Sequence, residues 1–173
     1  MKKSKGFTLI ELLVVIAIIA LLATIVLVSL TNNRQKAKDA RRVSDLRQIT
    51  LALEMYAEDN NRVYPDGGDT VADPNCNDWA AVVRPLTGIQ GPNYITILPV
   101  DPNMTIAACN VVAQPAGCYN YESDGTDYVL RARLERATDK SLVTDIDVSP
   151  LGCVCTDNQG VAPDNNRYYC IEP

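Results

Sequence analysis

The sequence predicts an α+β fold: one long N-terminal α-helix, with a membrane half and an amphipathic half, packed on a small antiparallel β-sheet. Three observations predict it. An apolar block near the N-terminus is long enough to span a bilayer, and a helical spacing of apolar residues continues beyond it with neither Gly nor Pro between Phe7 and Arg62. Further on, two alternating runs flank Asp124-Gly125, the sign of a β-hairpin.

The helix comes first. From Leu12 to Leu30 the only polar side-chain atoms are the hydroxyls of Thr24 and Ser29, which matches the roughly twenty apolar residues a helix needs to cross a core of ~30 Å. A secretory signal peptide has a shorter apolar run with its cleavage site behind it, so this block is expected to stay in the mature chain. A single carboxylate, Glu11, stands at the entrance, with no Lys or Arg between Phe7 and Leu30 to pair with it. Carboxylates in a spanning helix cost free energy unless partnered. The partner is expected to be the headgroup region, water or another chain.

Beyond the block, Ala37, Ala40, Val43, Leu46, Ile49 or Thr50, Leu53 and Tyr56 or Ala57 recur three and four residues apart, a stripe on an otherwise charged helix. Arg41 and Arg42 are placed to give weak surface pairs with Asp45. Asp59-Asn60-Asn61 and Tyr64-Pro65-Asp66-Gly67-Gly68 close the helix with turn chemistry. The expectation is one helix of about 54 residues, some 80 Å at about 1.5 Å per residue; the alternative is a break at Thr31-Asn32-Asn33.

Residues 67–117 read as a loop-rich connection in which Trp79 to Val83 is one short helical or extended piece, and Pro99 and Pro102 hold an extended approach to the sheet. The hairpin follows, Cys118–Glu122 and Asp127–Glu135. Tyr128, Leu130, Ala132 and Leu134 face the helix, with Val129, Arg131, Arg133 and Glu135 on the other side. Ser141–Ile146 is expected to add a strand, and the tail around Tyr168–Ile171 a strand or closing loop.

Composition bounds the function. The chain has 173 residues, enough for a membrane helix and one modest domain. It has no His, which removes the commonest general base and most zinc sites. No phosphate loop, nucleophile elbow or paired-carboxylate motif is present, so no catalytic residue is nominated and the chain is not expected to be an enzyme. Residues 31–58 carry six basic and four acidic side chains, whereas the chain after Glu58 carries seven basic and sixteen acidic. So acidic a head is not expected to bind nucleic acid through phosphate neutralisation. The basic collar reads as headgroup contact.

The six cysteines, Cys76, Cys109, Cys118, Cys153, Cys155 and Cys170, are disulfide candidates, which suits an oxidising compartment. Cys109 and Cys118 are close enough to brace the approach to the hairpin. Cys170 is expected to join Cys153 or Cys155, leaving Cys76 for the other; a thiolate metal site at Cys153-x-Cys155 is the rival. Ser123, Asp124 and Asp127 could offer oxygens to calcium, although a turn explains Asp124-Gly125 without a metal, and no cofactor is expected.

Gly6-Phe7-Thr8-Leu9-Ile10-Glu11-Leu12-Leu13-Val14-Val15-Ile16 behind a short basic leader resembles the class III signal of type IV pilins and of type II secretion pseudopilins, the G-type major pseudopilins among them. The segment from Lys36 to Leu46, Met55-Tyr56 and Tyr64-Pro65 resembles the stem of the same family, and Leu98-Pro99-Val100-Asp101-Pro102 its segment before the sheet. The resemblance implies a pilin-like fold divided into a cleaved leader (1–6), a transmembrane and filament-core helix (7–30), an amphipathic stem (31–60) and a cysteine-braced globular head (61–173). It implies that a prepilin peptidase cuts between Gly6 and Phe7 and that Phe7 is N-methylated. Glu11 would then pair with the Phe7 amine of a neighbouring subunit and set the register of a helical filament.

Partners by resemblance are copies of the chain, other pilins or pseudopilins, the peptidase and an assembly-platform membrane protein. The expected place is the inner membrane, single-pass, with the head outside the cytoplasm and then in a filament. The positive-inside rule points the other way, since Lys2, Lys3 and Lys5 are outnumbered by Arg34, Lys36, Lys38, Arg41 and Arg42; the peptidase's position and the cysteines decide for an external head. In one respect the chain departs from the family, since Ala20 and Val28 stand where many pilins carry Gly or Pro. The expected function is a structural subunit of a secretion pseudopilus. The alternatives are a surface pilin for adhesion, motility or DNA uptake, and a monomeric membrane-anchored binding domain.

Overall fold

A computed structural model describes residues 6–66, 76, 79, 86–87, 92–105, 109, 118–136, 139–143, 145–146, 151–153, 155 and 167–173. Its axis is one helix, α1 (Leu9–Asp59, 51 residues), which runs unbroken through Thr31-Asn32-Asn33. At about 1.5 Å per residue it is about 77 Å long. The chain leaves it through a tight turn in which the Asn60 and Arg62 N–H groups both donate to the Ala57 carbonyl, and Asn61 takes a left-handed φ of 59°, a conformation Asn tolerates better than most residues.

Three short antiparallel strands make the sheet, β1 (Asn120–Ser123), β2 (Tyr128–Arg133) and β3 (Tyr168–Ile171), with β2 in the centre. The β1–β2 register sets Ser123 opposite Tyr128 and Asn120 opposite Arg131. The tail closes as a strand, Cys170 opposite Arg131. Ser141–Ile146 does not form the expected strand: Lys140–Val143 is a 3₁₀ turn whose Leu142 N–H donates to the Asp139 carbonyl. Asp139 also accepts from the Ser141 N–H at 3.1 Å, and a side-chain acceptor two residues back favours a turn over a ladder. Trp79 is helical and buried; the rest of the piece expected around Trp79–Val83 lies outside the described residues.

The helix-facing side of β2 is as its alternation predicts. Tyr128, Leu130, Ala132 and Leu134 are buried in one core with Leu46, Ile49 and Leu53 of α1, and burial of this kind stabilises by about 25 cal/mol per Å² of apolar surface. The stripe on α1 needs correction at its lower end. Ala37 and Ala40 are exposed, and the first buried residues of the helix are Asp39, Arg42 and Val43. The opposite side of β2 is not a solvent face either: Val129 and Arg131 are buried, and Val129 packs with Cys76, Cys153, Cys155 and Cys170 in a second, smaller core. Four half-cystines therefore do the covering that a longer chain would assign to another layer of apolar side chains.

Candidate functional site

The N-terminal end of α1 is built by four residues. Thr8 is extended (φ −83°, ψ 150°) and caps the helix. The Glu11 N–H donates to Thr8 Oγ1 at 3.2 Å, and Glu11 Oε2 accepts from the Thr8 N–H at 2.9 Å and from Thr8 Oγ1 at 2.7 Å. This reciprocal pair is a capping box, and it satisfies donors that a helix start otherwise leaves open. Glu11 thus has hydrogen-bond donors within its own chain, in addition to any headgroup, water or neighbouring chain that meets its charge. Thr-x-x-Glu before an apolar run is the sequence signal for such a box. The side chain of Phe7 is 79% exposed, and a Cβ added at Gly6 would meet nothing within 4 Å.

From Leu9 the helix shows its apolar side chains all round. Its most apolar 18-residue window has a mean hydropathy of 3.2 and is 0% buried by the rest of the chain; among the described residues no other helix is long and apolar enough to cross a membrane. Leu9, Ile10, Leu21 and Ile25 are each more than 60% exposed. An apolar surface of this size is not left in water; it marks contact with a membrane or another protein.

Where the stem enters the head, charge replaces apolar contact. Arg42 does not lie on the surface with Asp45. Its guanidinium is buried and donates from Nε and Nη2 to both Asp101 oxygens (2.6 and 3.1 Å), from Nη1 to Asp39 Oδ1 (2.7 Å) and from Nη2 to Glu135 Oε1 (3.2 Å). Asp39 in turn accepts from the Glu135 and Arg136 N–H groups at 2.8 and 3.1 Å. Burial works against the charged Arg42, but its three carboxylate partners outweigh it and raise the pKa further. The surface pair that does form is Arg41–Asp45 at 3.6 Å. Pro99 and Pro102 lead into a turn, not an extended run: Asp101 accepts the Asn103 and Met104 N–H groups while presenting its carboxylate to Arg42.

Tyrosines make further polar contacts with the stem. The Tyr119 hydroxyl donates to Asp45 Oδ2 at 2.7 Å, and burial first, then Asp45, pushes that phenol's pKa up. The Tyr64 hydroxyl reaches Glu54 at 3.1 Å.

All six candidate cysteines are joined in disulfides, Cys76–Cys153, Cys109–Cys118 and Cys155–Cys170. Of the two arrangements open for the tail, Cys170 takes Cys155. Neither Cys153 nor Cys155 retains a thiol, so the thiolate metal reading falls. In the Ser123–Asp127 turn, two of the oxygens that could serve calcium are used by the turn's own backbone. Asp124 Oδ1 accepts the Thr126 and Asp127 N–H groups at 2.8 Å each, which holds its pKa below the usual range, and Ser123 Oγ donates to the Asp127 carbonyl at 2.8 Å. Among the described residues there is no group of three or more His, Cys, Asp or Glu side chains able to hold a metal ion.

Comparison with known proteins agrees with this geometry. Residues 1–27 match the prokaryotic N-terminal methylation motif. The chain is 40% identical over 101 residues to the type II secretion system core protein G of Aeromonas hydrophila, a match spanning 58% of this chain and 68% of that one. It is 38% identical over 104 residues to the core protein G of Escherichia coli K12, spanning 58% and 67%. Over 61 residues it is 48% identical to a type IV wide pilus major component of Thermus thermophilus, 35% of this chain and 47% of that one. No solved structure matches. A methylation motif, an uncovered apolar helix behind a capped carboxylate, and a small sheet carried on the stem lead to one conclusion: the chain belongs to the family of the type II secretion system core protein G.

Proposed function

We propose that the chain is the structural subunit of a type II secretion pseudopilus, held in the inner membrane by α1 with its head outside the cytoplasm and then assembled with copies of itself. The observation that carries this reading is the apolar half of α1, 0% buried by its own chain yet attached to a folded head. A helix apolar on every side is covered by lipid before assembly and by like helices after it. The leader, residues 1–6, is removed by a prepilin peptidase between Gly6 and Phe7, and Phe7 is N-methylated. Nothing in the fold calls for glycine at position 6, since a Cβ there meets no atom; a requirement for glycine would then come from the enzyme that cuts beside it.

Glu11 sets the register. The carboxylate is held by Thr8 through Oε2, and the methylated Phe7 amine of a neighbour, arriving at the same carboxylate, adds a charge-assisted pair that is favourable only at the correct stagger. The role is structural and no catalytic step is assigned. The other partners are further pseudopilins, the peptidase and an assembly-platform membrane protein.

A second reading, a surface type IV pilin, is favoured by the likeness to the Thermus pilus component and by three disulfides in the head. Intact mass of the protein from membranes and from sheared surface material of its source tests both. Loss of Met1–Gly6 with one added methyl group is expected. Abundance in sheared material would favour the surface pilus, and a full-length, unmethylated mass would refute both and leave a membrane-anchored monomeric domain.

A further inference from the structure

We propose that residues 31–38 of α1 bind anionic phospholipid headgroups on the head side of the membrane, with Arg34 and Lys36 as the contacting residues; this rests on the reading of α1 as a membrane helix. Five basic residues stand between Arg34 and Arg42, and the structure divides them. Lys38 Nζ donates to Asn103 Oδ1 at 2.6 Å and lies 3.6 Å from Glu135. Arg41 pairs with Asp45, and Arg42 is enclosed by Asp39, Asp101 and Glu135. Arg34 and Lys36 are left. Both are exposed, and among the described residues neither side chain meets a carboxylate.

Height decides what these two side chains reach. Leu12 to Leu30 rises about 27 Å, close to the ~30 Å core of a bilayer. With Leu30 at the edge of that core, Arg34 stands about 6 Å and Lys36 about 9 Å beyond it, against a headgroup layer about 5–7 Å deep. Side chains on a helix lean toward its N-terminus, here toward the membrane, so long basic ones reach back among the phosphates. Asp39, the first buried residue of the stem, lies about 14 Å beyond Leu30, so the head starts above that layer. The charge between is of one sign: Thr31-Asn32-Asn33-Arg34-Gln35-Lys36-Ala37-Lys38 holds three basic residues and no acid. The head above is acidic and is repelled by an anionic surface, so the attraction comes from this band. Two positions apart on a helix, Arg34 and Lys36 point to nearly opposite sides and engage separate lipids. The band thereby sets the height at which the unassembled subunit rides in the membrane.

The test takes the chain from its source membranes, reconstitutes it in phosphatidylcholine vesicles and probes it with spin-labelled phosphatidylglycerol and spin-labelled phosphatidylcholine. The fraction of each probe immobilised by the protein reads their relative association. A cation at an anionic headgroup favours it by about fivefold. Averaged over the lipids around α1, the wild type should therefore prefer phosphatidylglycerol by about two- to fivefold in about 0.01 M salt and lose the preference near ~1 M. The double variant Arg34→Gln, Lys36→Gln, which removes no contact of the head, should lose most of that preference. Arg47→Gln removes an exposed charge about 25 Å beyond Leu30 and should leave the preference as it is. Equal association of the two probes with the wild type would overturn the proposal. So would a preference that survives undiminished in the double variant, or one that falls equally with Arg47→Gln. A chain that does not float with the vesicles would refute the membrane reading itself, and this proposal with it.

Discussion

Removal of the Cys76–Cys153 disulfide, as the pair Cys76→Ala and Cys153→Ala, tests what the cystines do for the head. This bond closes a loop of 77 residues and Cys109–Cys118 one of only 9, while their Cα–Cα distances, 5.6 and 5.5 Å, are nearly equal. If a disulfide acts chiefly by restricting the unfolded chain, loop length decides its worth. The loop-closure relation gives about 4.5 kcal/mol for the long loop and about 2.6 kcal/mol for the short one. The expected difference between the two double-alanine variants is therefore about 2 kcal/mol.

Trp79 provides the signal, as the single Trp of the chain, buried edge-on against Tyr119 at 6.3 Å. Its fluorescence should follow urea unfolding of the head while detergent holds α1. With a urea slope of about 2 kcal/mol per molar, the Cys76–Cys153 variant should unfold about 1 M below the Cys109–Cys118 variant. Coincident midpoints would refute the reasoning. They would mean that packing lost at the buried Cys109 and Cys118, or residual structure in the unfolded chain, offsets the difference in loop entropy.

Tyr119→Phe should cost about 1.5–3 kcal/mol, since it removes a buried hydrogen bond to a carboxylate. Tyr121→Phe, which loses a bond to the neutral Pro65 carbonyl, should cost about 1 kcal/mol in the same urea assay. Acid should weaken the seam between head and stem. Burial alone would raise the Glu135 pKa, but donors from Asn103 and Arg42 and the charges of Arg42 and Lys38 lower it below 4.5. A carboxyl group whose folded pKa is depressed contributes stability that is fully present above its unfolded value and is lost as pH falls through the folded one. Stability measured between pH 7 and pH 3 should therefore fall below about pH 4.5, and Glu135→Gln should flatten that limb. An unchanged limb would exclude Glu135 as its source.

Periodicity made the large features legible. An apolar run from Leu12 to Leu30 without Gly or Pro favours a helix wherever it lies, and the alternation Tyr128, Leu130, Ala132, Leu134 can bury only one face against it. The hairpin was legible for a different reason, since Asp124-Gly125 encodes its turn locally: Gly125 takes φ 86° and the Asp124 carboxylate caps the backbone beyond it. The Thr8–Glu11 cap is equally local, encoded by Thr-x-x-Glu directly before the apolar run.

What periodicity could not show is where a helix face changes character. Ala37 and Ala40 fit the spacing of Leu46 and Leu53, yet both are exposed, on a stretch of α1 whose buried residues are Asp39 and Arg42. The boundary is drawn by Asp39 and Arg42, which a hydropathy count assigns to solvent. Their partners stand 59 and more residues away, at Asp101 and Glu135, and no local rule connects an acid in a proline-flanked turn with an arginine on a helix. Val129 and Arg131 were misplaced for a related reason. Val129 packs among cystines gathered from positions 76, 153, 155 and 170, a surface that does not exist until the bonds have formed, and Arg131 lies over the ring of Tyr168, on the distant strand β3. Long-range charge and covalent closure are the two terms that a linear pattern omits, and in this head they define its lower boundary and its outer face.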